Sequence, residues 1–264
     1  MFFRLDTWQL VLMLVVVVVG TTVAGMVLGR HLSHRSGHLK EPFAVLQAAL
    51  LGLVGLVLAF GLALGVGRYE ARRVAVVDET NAIGTTYLRA QTLAEPMRTE
   101  SLDLLKRYTD TNIRLSNAVP GSGAHKAAIA EGNDIQRELW SLAGDSLADR
   151  PVDSAPRLYV ETLNEMIDMQ TVRVSTLNNR VPGAVLVVEV LGAAFALGLL
   201  AFYLAILGRG VLPVLLAAGL ITMLLLVTFD LDRPTRGLIQ VPDSPLIGLR
   251  AEMELPPAAD APPG

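Results

Sequence analysis

The chain has 264 residues and no cysteine, which excludes disulfides, thiolate metal sites and a cysteine nucleophile. Its residues are 52% hydrophobic and only 18% charged, against ~25% charged in an average soluble chain; with the charge crowded into the middle, this is the profile of a multi-span membrane protein carrying one polar domain. With a net charge of −3, no overall basicity points to nucleic acid.

Residues 7–29 (TWQLVLMLVVVVVGTTVAGMVLG) carry no charge and reach the ~20 residues a helix needs to cross the hydrocarbon. The run exceeds the ~7–15 apolar residues of a signal peptide, so it reads as an uncleaved span. A short basic loop, GRHLSHRSGHLKEP (29–42), follows. Its His31, His34 and His38 have helical spacing, but the Ser/Gly-rich stretch adds no ligand beyond Glu41, so a solvated loop and no metal site are expected.

Residues 42–67 are again free of charge and run, with no proline after Pro42 and no turn, into Arg68, Glu70, Arg72 and Arg73. The expectation is one helix that leaves the membrane and continues to about Leu93. The segment DETNAIGTTYLR (78–89), with Glu79, Asn81, Thr85 and Thr86, pairs no nucleophile with a base, and the remaining histidine, His125, lies in a polar helix. It reads as a polar helix–helix contact in which Gly84 permits close packing, and no enzymatic activity is expected. Pro96 opens a further helix through LDLLKRYTDTNIRL, which stops before PGSG (120–123). Ser122 is the expected cap of the next, through Leu142. Residues 144–154 read as a loop, and Pro156 opens another helix. In it Tyr159, Leu163, Met166, Gln170 and Leu177 keep the steps of a packing seam.

Residues 181–208 lie between Arg180 and Arg209 and hold a single acid, Glu189. It stands ~10 Å along the helix from Pro182 at 1.5 Å per residue, and an intramembrane carboxylate is a candidate proton or cation site. GRG (208–210) makes a tight hairpin, Pro213 sits in the first turn of the fourth apolar helix, and residues 210–229 are charge-free. The tail LPPAADAPPG (255–264) is Pro/Ala-rich and is expected to be disordered. The resulting division is 1–67, two spans with their basic loop; 68–180, a helical polar domain continuous with the second span; 181–229, the third and fourth spans; and 230–264, a C-terminal segment.

Lys and Arg near span ends set orientation. Arg4, Arg68, Arg72, Arg73, Arg173, Arg180, Arg233 and Arg236 fall on the side of the N-terminus, against Arg30, Arg35, Lys40 and Arg209 on the other. This total places both termini and residues 68–180 in the cytoplasm and the protein in the cell (inner) membrane, although the first span taken alone argues the reverse.

Two stretches carry a resemblance. GLVGLVLAFGLALGVGRYEARR (52–73), followed by VVDETNAIGTTYLRAQ (76–91), puts an Arg-aromatic pair at the end of the second span. LDRPTRGLIQV (231–241) supplies an Asp-x-Pro-x-x-Gly turn after the fourth. Over residues ~10–250 the chain resembles the bestrophin-like family of bacterial membrane proteins and, distantly, bestrophin ion channels. The resemblance implies an all-α membrane protein with four transmembrane helices and a helical, cytoplasmic domain inserted between the second and third. It implies a homo-oligomer, a pentamer, in the lipid bilayer, with inorganic ions passing along the second helix. It also implies a constriction at every fourth residue back from Arg68: Phe60, Leu56 and Gly52. Gly52 departs from the bulky pattern and makes that level wider. The dense acidic run that binds calcium in animal bestrophins is missing, with only Asp230 and Asp232 near its place. No calcium gating and no cofactor are carried over.

At 100° per residue, the positions within about 40° of Leu56 are Gly52, Phe60, Ala63, Gly67, Glu70, Val74, Asp78, Asn81 and Thr85. This face turns from apolar to acidic, while Arg68, Arg72 and Arg73 fall more than about 90° away, placed to pair with acids or lipid headgroups. Around a shared axis, rings of Glu70 and Asp78, with Asn81 beyond, would favour cations. The small residues Gly52, Gly55, Ala59 and Ala63 equally fit close helix packing without a pore. The expectation is therefore a cation-preferring channel; the alternative is a membrane sensor or scaffold whose helical bundle lies outside the cell.

Overall fold

The computed structural model describes residues 7–32 and 40–259; Arg4, His34, Arg35, His38 and residues 260–264 of the tail lie outside them. Apolar runs and polar runs alike fold as helix: α1 (Thr7–Leu32), α2 (Lys40–Ala90), α3 (Met97–Asn117), α4 (Gly123–Asp149), α5 (Ser154–Asn178), α6 (Gly183–Ile206), α7 (Leu212–Leu231) and α8 (Ser244–Glu252). No strand occurs among the described residues. The apolar stretches of α1, α2, α6 and α7 are each long enough to cross a membrane. In lipid this follows from the backbone, because a helix satisfies its own N–H and C=O groups.

The chain divides into two compact units. The first comprises residues 1–69 and 180–240, the second residues 70–179 and 241–264. In the first, α1 packs along α6 through small residues. A Cβ on Gly25 would collide with the Gly198 carbonyl, and one on Gly29 would strike the Phe202 backbone and Ala205. Backbone approach of this kind gives van der Waals contact where lipid offers no hydrophobic drive. Gly208 turns at φ +66° between α6 and α7, a conformation that favours glycine.

In the second unit one side of the C-terminal half of α2 shares a core with α3, α4 and α5. Their core joins Val76, Ile83 and Tyr87 of α2 to Leu105, Tyr108, Ile135, Leu139, Tyr159, Leu163 and Met166. Ser122 caps α4, accepting from the His125 N–H at 3.2 Å. α4 continues through GDSLAD, where the sequence reads as a loop from residue 144. Ala143 and Ser146 remain on its buried face, and the helix ends at Arg150, the residue that Pro151 disfavours from helical geometry. α8 and the residues after it join this core through Leu246 and Met253, Tyr87 donates to the Met253 carbonyl at 3.2 Å, and Arg250 pairs with Asp110 at 2.8 Å. Gly84 faces Leu249, which a Cβ would meet at 3.2 Å. The beginning of the tail is fastened, since Arg98 donates to the Ala259 carbonyl at 2.8 Å and the Ala259 N–H donates to Gln91 at 3.1 Å.

His125 is buried on α4. Burial, and after it the positive Arg173, holds its imidazole below the ordinary histidine pKa. The folded state therefore favours the neutral ring. Its contribution to stability is whole above the ordinary value of ~6.5 and is lost as pH falls through it. The thermal midpoint of the purified protein should drop between about pH 7 and pH 5, and His125→Gln should remove a few degrees of that drop; identical pH curves for the two proteins would contradict this assignment.

Candidate functional site

α2 belongs to both units and is unbroken from Lys40 to Ala90. In the first unit its packed side is Val54, Leu58, Gly61 and Gly65, all buried, whereas Gly52, Leu56, Phe60, Ala63 and Gly67 are exposed. Leu56 is 54% and Phe60 63% exposed, against 2% for Leu58. In the second unit the packed side is Arg72, Ala75, Val76, Glu79, Ile83 and Thr86, and Glu70, Val74, Asp78, Asn81 and Thr85 are exposed. The helical phase predicted for an ion path is thus the phase that the single chain leaves uncovered in each unit. Asp78 and Glu79 are neighbours in sequence and opposites in environment.

The small residues of α2 divide differently from the sequence expectation of close packing. Gly52 and Gly55 have open space where a Cβ would stand, and Ala59 and Ala63 are exposed. The glycines that approach another helix are Gly61, against Glu189 of α6, and Gly65, against the Thr228 carbonyl and Leu231 of α7 at 3.5 Å. These lie ~140° and ~180° around the helix from Leu56 at 100° per residue, so the packed face is the reverse of the one the Gly/Ala spacing marked.

Charged groups of α2 are spent in distinct ways. Arg73 forks onto Glu70, with contacts of 2.6 and 3.0 Å, both residues being half exposed. Arg72 is 1% exposed and donates to the carbonyls of Thr176 at 3.3 Å and Asn179 at 2.9 Å. Those carbonyls close α5, where the last turn lacks intrahelical donors and a cation complements the helix dipole. Two of its partners are thus backbone carbonyls, which the sequence does not anticipate.

Glu79 makes a buried ion pair with Arg173 of α5. Arg173 also donates to the Asn112 side chain at 3.2 Å, to the Asn112 carbonyl at 3.1 Å and to Ser116. One turn earlier, Gln170 accepts from the Tyr108 hydroxyl at 3.2 Å and from Gln136. The seam of α5 therefore runs Tyr159, Leu163, Met166, Gln170, Arg173, Leu177. The sequence reading steps over Arg173 because a charged residue breaks an apolar pattern; its position midway between Gln170 and Leu177 was the signal.

Glu189 is 1% exposed, and both its carboxylate oxygens are buried without a hydrogen-bond partner. A Cβ on Gly61 would occupy the space the carboxylate fills. The turn after α7 closes on the other intact acids: Asp230 accepts the N–H groups of Leu238 and Ile239, each at 2.8 Å, and Asp232 accepts that of Val181 at 3.2 Å. Gly237 leaves room for Asp230, since a Cβ there would stand 2.8 Å from its carboxyl. Both oxygens of Asp230 are thus held by backbone. His31 stands in the last turn of α1; no cluster of metal-ligating side chains forms among the described residues.

A family model described as a Bestrophin-like domain matches residues 11–246. No curated protein matches the chain, and no solved structure does.

Removing one member of a buried ion pair strands the other's charge, at a cost of ~3–5 kcal/mol. Arg173→Met should therefore lower the unfolding midpoint of the detergent-purified protein sharply, and adding Glu79→Leu should restore much of it. A stable single variant would mean that the pair does not hold α2 to α5.

Proposed function

The chain belongs to the bestrophin-like family, and from that premise we propose that it is the subunit of an oligomeric ion-conducting pore lined by α2. The observation that carries this reading is the exposed phase of α2, apolar at Leu56 and Phe60 and acidic at Glu70 and Asp78, on a helix whose reverse side is packed. Repeated around a common axis, Phe60 and Leu56 form a dry constriction that gates by dewetting, with Gly52 a wider level next to it. Glu70, Asp78 and Asn81 line the vestibule, in the cytoplasm by the arginine balance of the sequence. Their carboxylates favour cations over anions. Glu70 shares its charge with Arg73, so Asp78 carries more of the selectivity. The fivefold count comes from the resemblance to bestrophins, and the helical bundle inserted between the second and third spans holds the cytoplasmic half of α2 in place.

The purified chain reconstituted in liposomes should conduct, and Phe60→Ala should raise the flux several-fold by wetting the constriction. Particles should show a fivefold ring. A monomer, or silence from a correctly assembled oligomer, would overturn the proposal. A reporter at residue 125 on the external face would favour the sensor or scaffold instead.

Charge selectivity gives a separate readout. In a salt gradient the reversal potential should lie on the cation side, and Glu70→Gln with Asp78→Asn should move it toward zero, Asp78→Asn contributing the larger part. A potential unchanged by both substitutions would remove these acids from the ion path.

A further inference from the structure

We propose that Glu189 is a proton-binding site built into the contact between α6 and α2, its carboxyl holding one proton in the seat that Gly61 leaves open. The inference is independent of the channel reading, because it concerns the packed side of α2 and not its exposed phase. A carboxylate stripped of water and given no donor costs several kcal/mol or more, and Glu189 has both oxygens buried and unpartnered. Such a group needs a positive partner.

Among the described residues no side chain supplies one. Residues 42–67 of α2 carry no charge, nor do residues 8–29 of α1 or 210–229 of α7, and Glu189 is the one charged residue of α6. The titratable groups of these elements flank the apolar runs: Arg30 and His31 on α1, Lys40 and Glu41 before and Arg68, Tyr69 and the charged residues from Glu70 onward after the run of α2, Tyr203 on α6, and Asp230 after that of α7. Arg68 is ~10 Å along the axis from Gly61 at 1.5 Å per residue, and Asp230 is held by backbone N–H groups.

A metal cation is a poor fit as well. Hard cations take about six to eight oxygens, whereas the carboxyl brings two and the residue facing it is glycine. The Thr228 hydroxyl, which stands on the helix that Gly65 touches, already donates to the Leu224 carbonyl at 3.0 Å. One carboxyl in an apolar seat has the donor set for a proton. The proton neutralises the acid and lets α6 lie against α2; a charge in the same place would have to be rehydrated, which the close contact at Gly61 does not permit.

The test uses a membrane-soluble carbodiimide, which reacts with protonated carboxyls in apolar surroundings, on the full chain in proteoliposomes at neutral pH. Mass spectrometry should find the adduct on Glu189. It should persist in high sodium, potassium or calcium, and a water-soluble carbodiimide should leave Glu189 unmodified. Glu189→Gln, the neutral isostere of the protonated acid, should remove the adduct and keep the thermal midpoint within about 2 °C of the wild type. An unmodified Glu189, or protection by any of the three cations, would overturn the proposal. The labelling arm needs only the wild-type chain, so a failure of Glu189→Gln to fold would count against the seat and leave the labelling result decisive.

Discussion

A helix of 51 residues has only one side to give to its own chain. In α2 that side is Val54, Leu58, Gly61 and Gly65 in the first unit, and Arg72, Glu79, Ile83 and Thr86 in the second. In each unit the side of α2 opposite its packed set is left exposed. Leu56 and Phe60 are exposed where Leu58 and Gly61 are buried, and Asp78 is exposed beside the buried Glu79. The pore proposal rests on this division of one cylinder into a committed face and an uncommitted one.

What commits the packed face differs between the units because the solvent differs. Apolar side chains gain little by leaving lipid for protein, so α1 and α6 meet through Gly25, Gly29 and Gly198, where backbone contact is closest. In the second unit apolar burial has its usual drive, and specificity comes from polar groups inside the core. Arg72 closes α5, Arg173 joins α5 to Glu79 and Asn112, and Gln170 meets Tyr108 and Gln136. A shift of one residue in α2 would strand Glu79 and Arg72 together. These buried charges fix the register in which α2 enters the bundle.

Glu189 stands apart from this pattern. Asp230 shows how the chain treats an acid at the end of an apolar helix, by turning two backbone donors onto it with Gly237 making room. Glu189 also has a glycine against it, but Gly61 supplies space and no donor. The contrast between two buried acids, one saturated and one bare, sets Glu189 apart as more than a packing residue.

The sequence by itself determined the helices and their apolar lengths, because a backbone in hydrocarbon has few ways to satisfy its hydrogen bonds and a charge-free run of ~20 residues is hard to place elsewhere. Pro96, Ser122 and Pro156 likewise punctuate locally, since a cap or a missing N–H acts within one turn. The grouping of Leu56, Phe60, Glu70 and Asp78 on one face was legible for the same reason, as a period needs no partner to be counted, but that this face is the exposed one was not. Only the tertiary structure decided which glycines touch, that Arg173 belongs to the seam of α5, that α8 returns to the core at Leu246, and that Glu189 faces Gly61. Each of these joins residues far apart in the chain, and a partner across space is chosen by distance and desolvation, which neighbours in sequence do not encode.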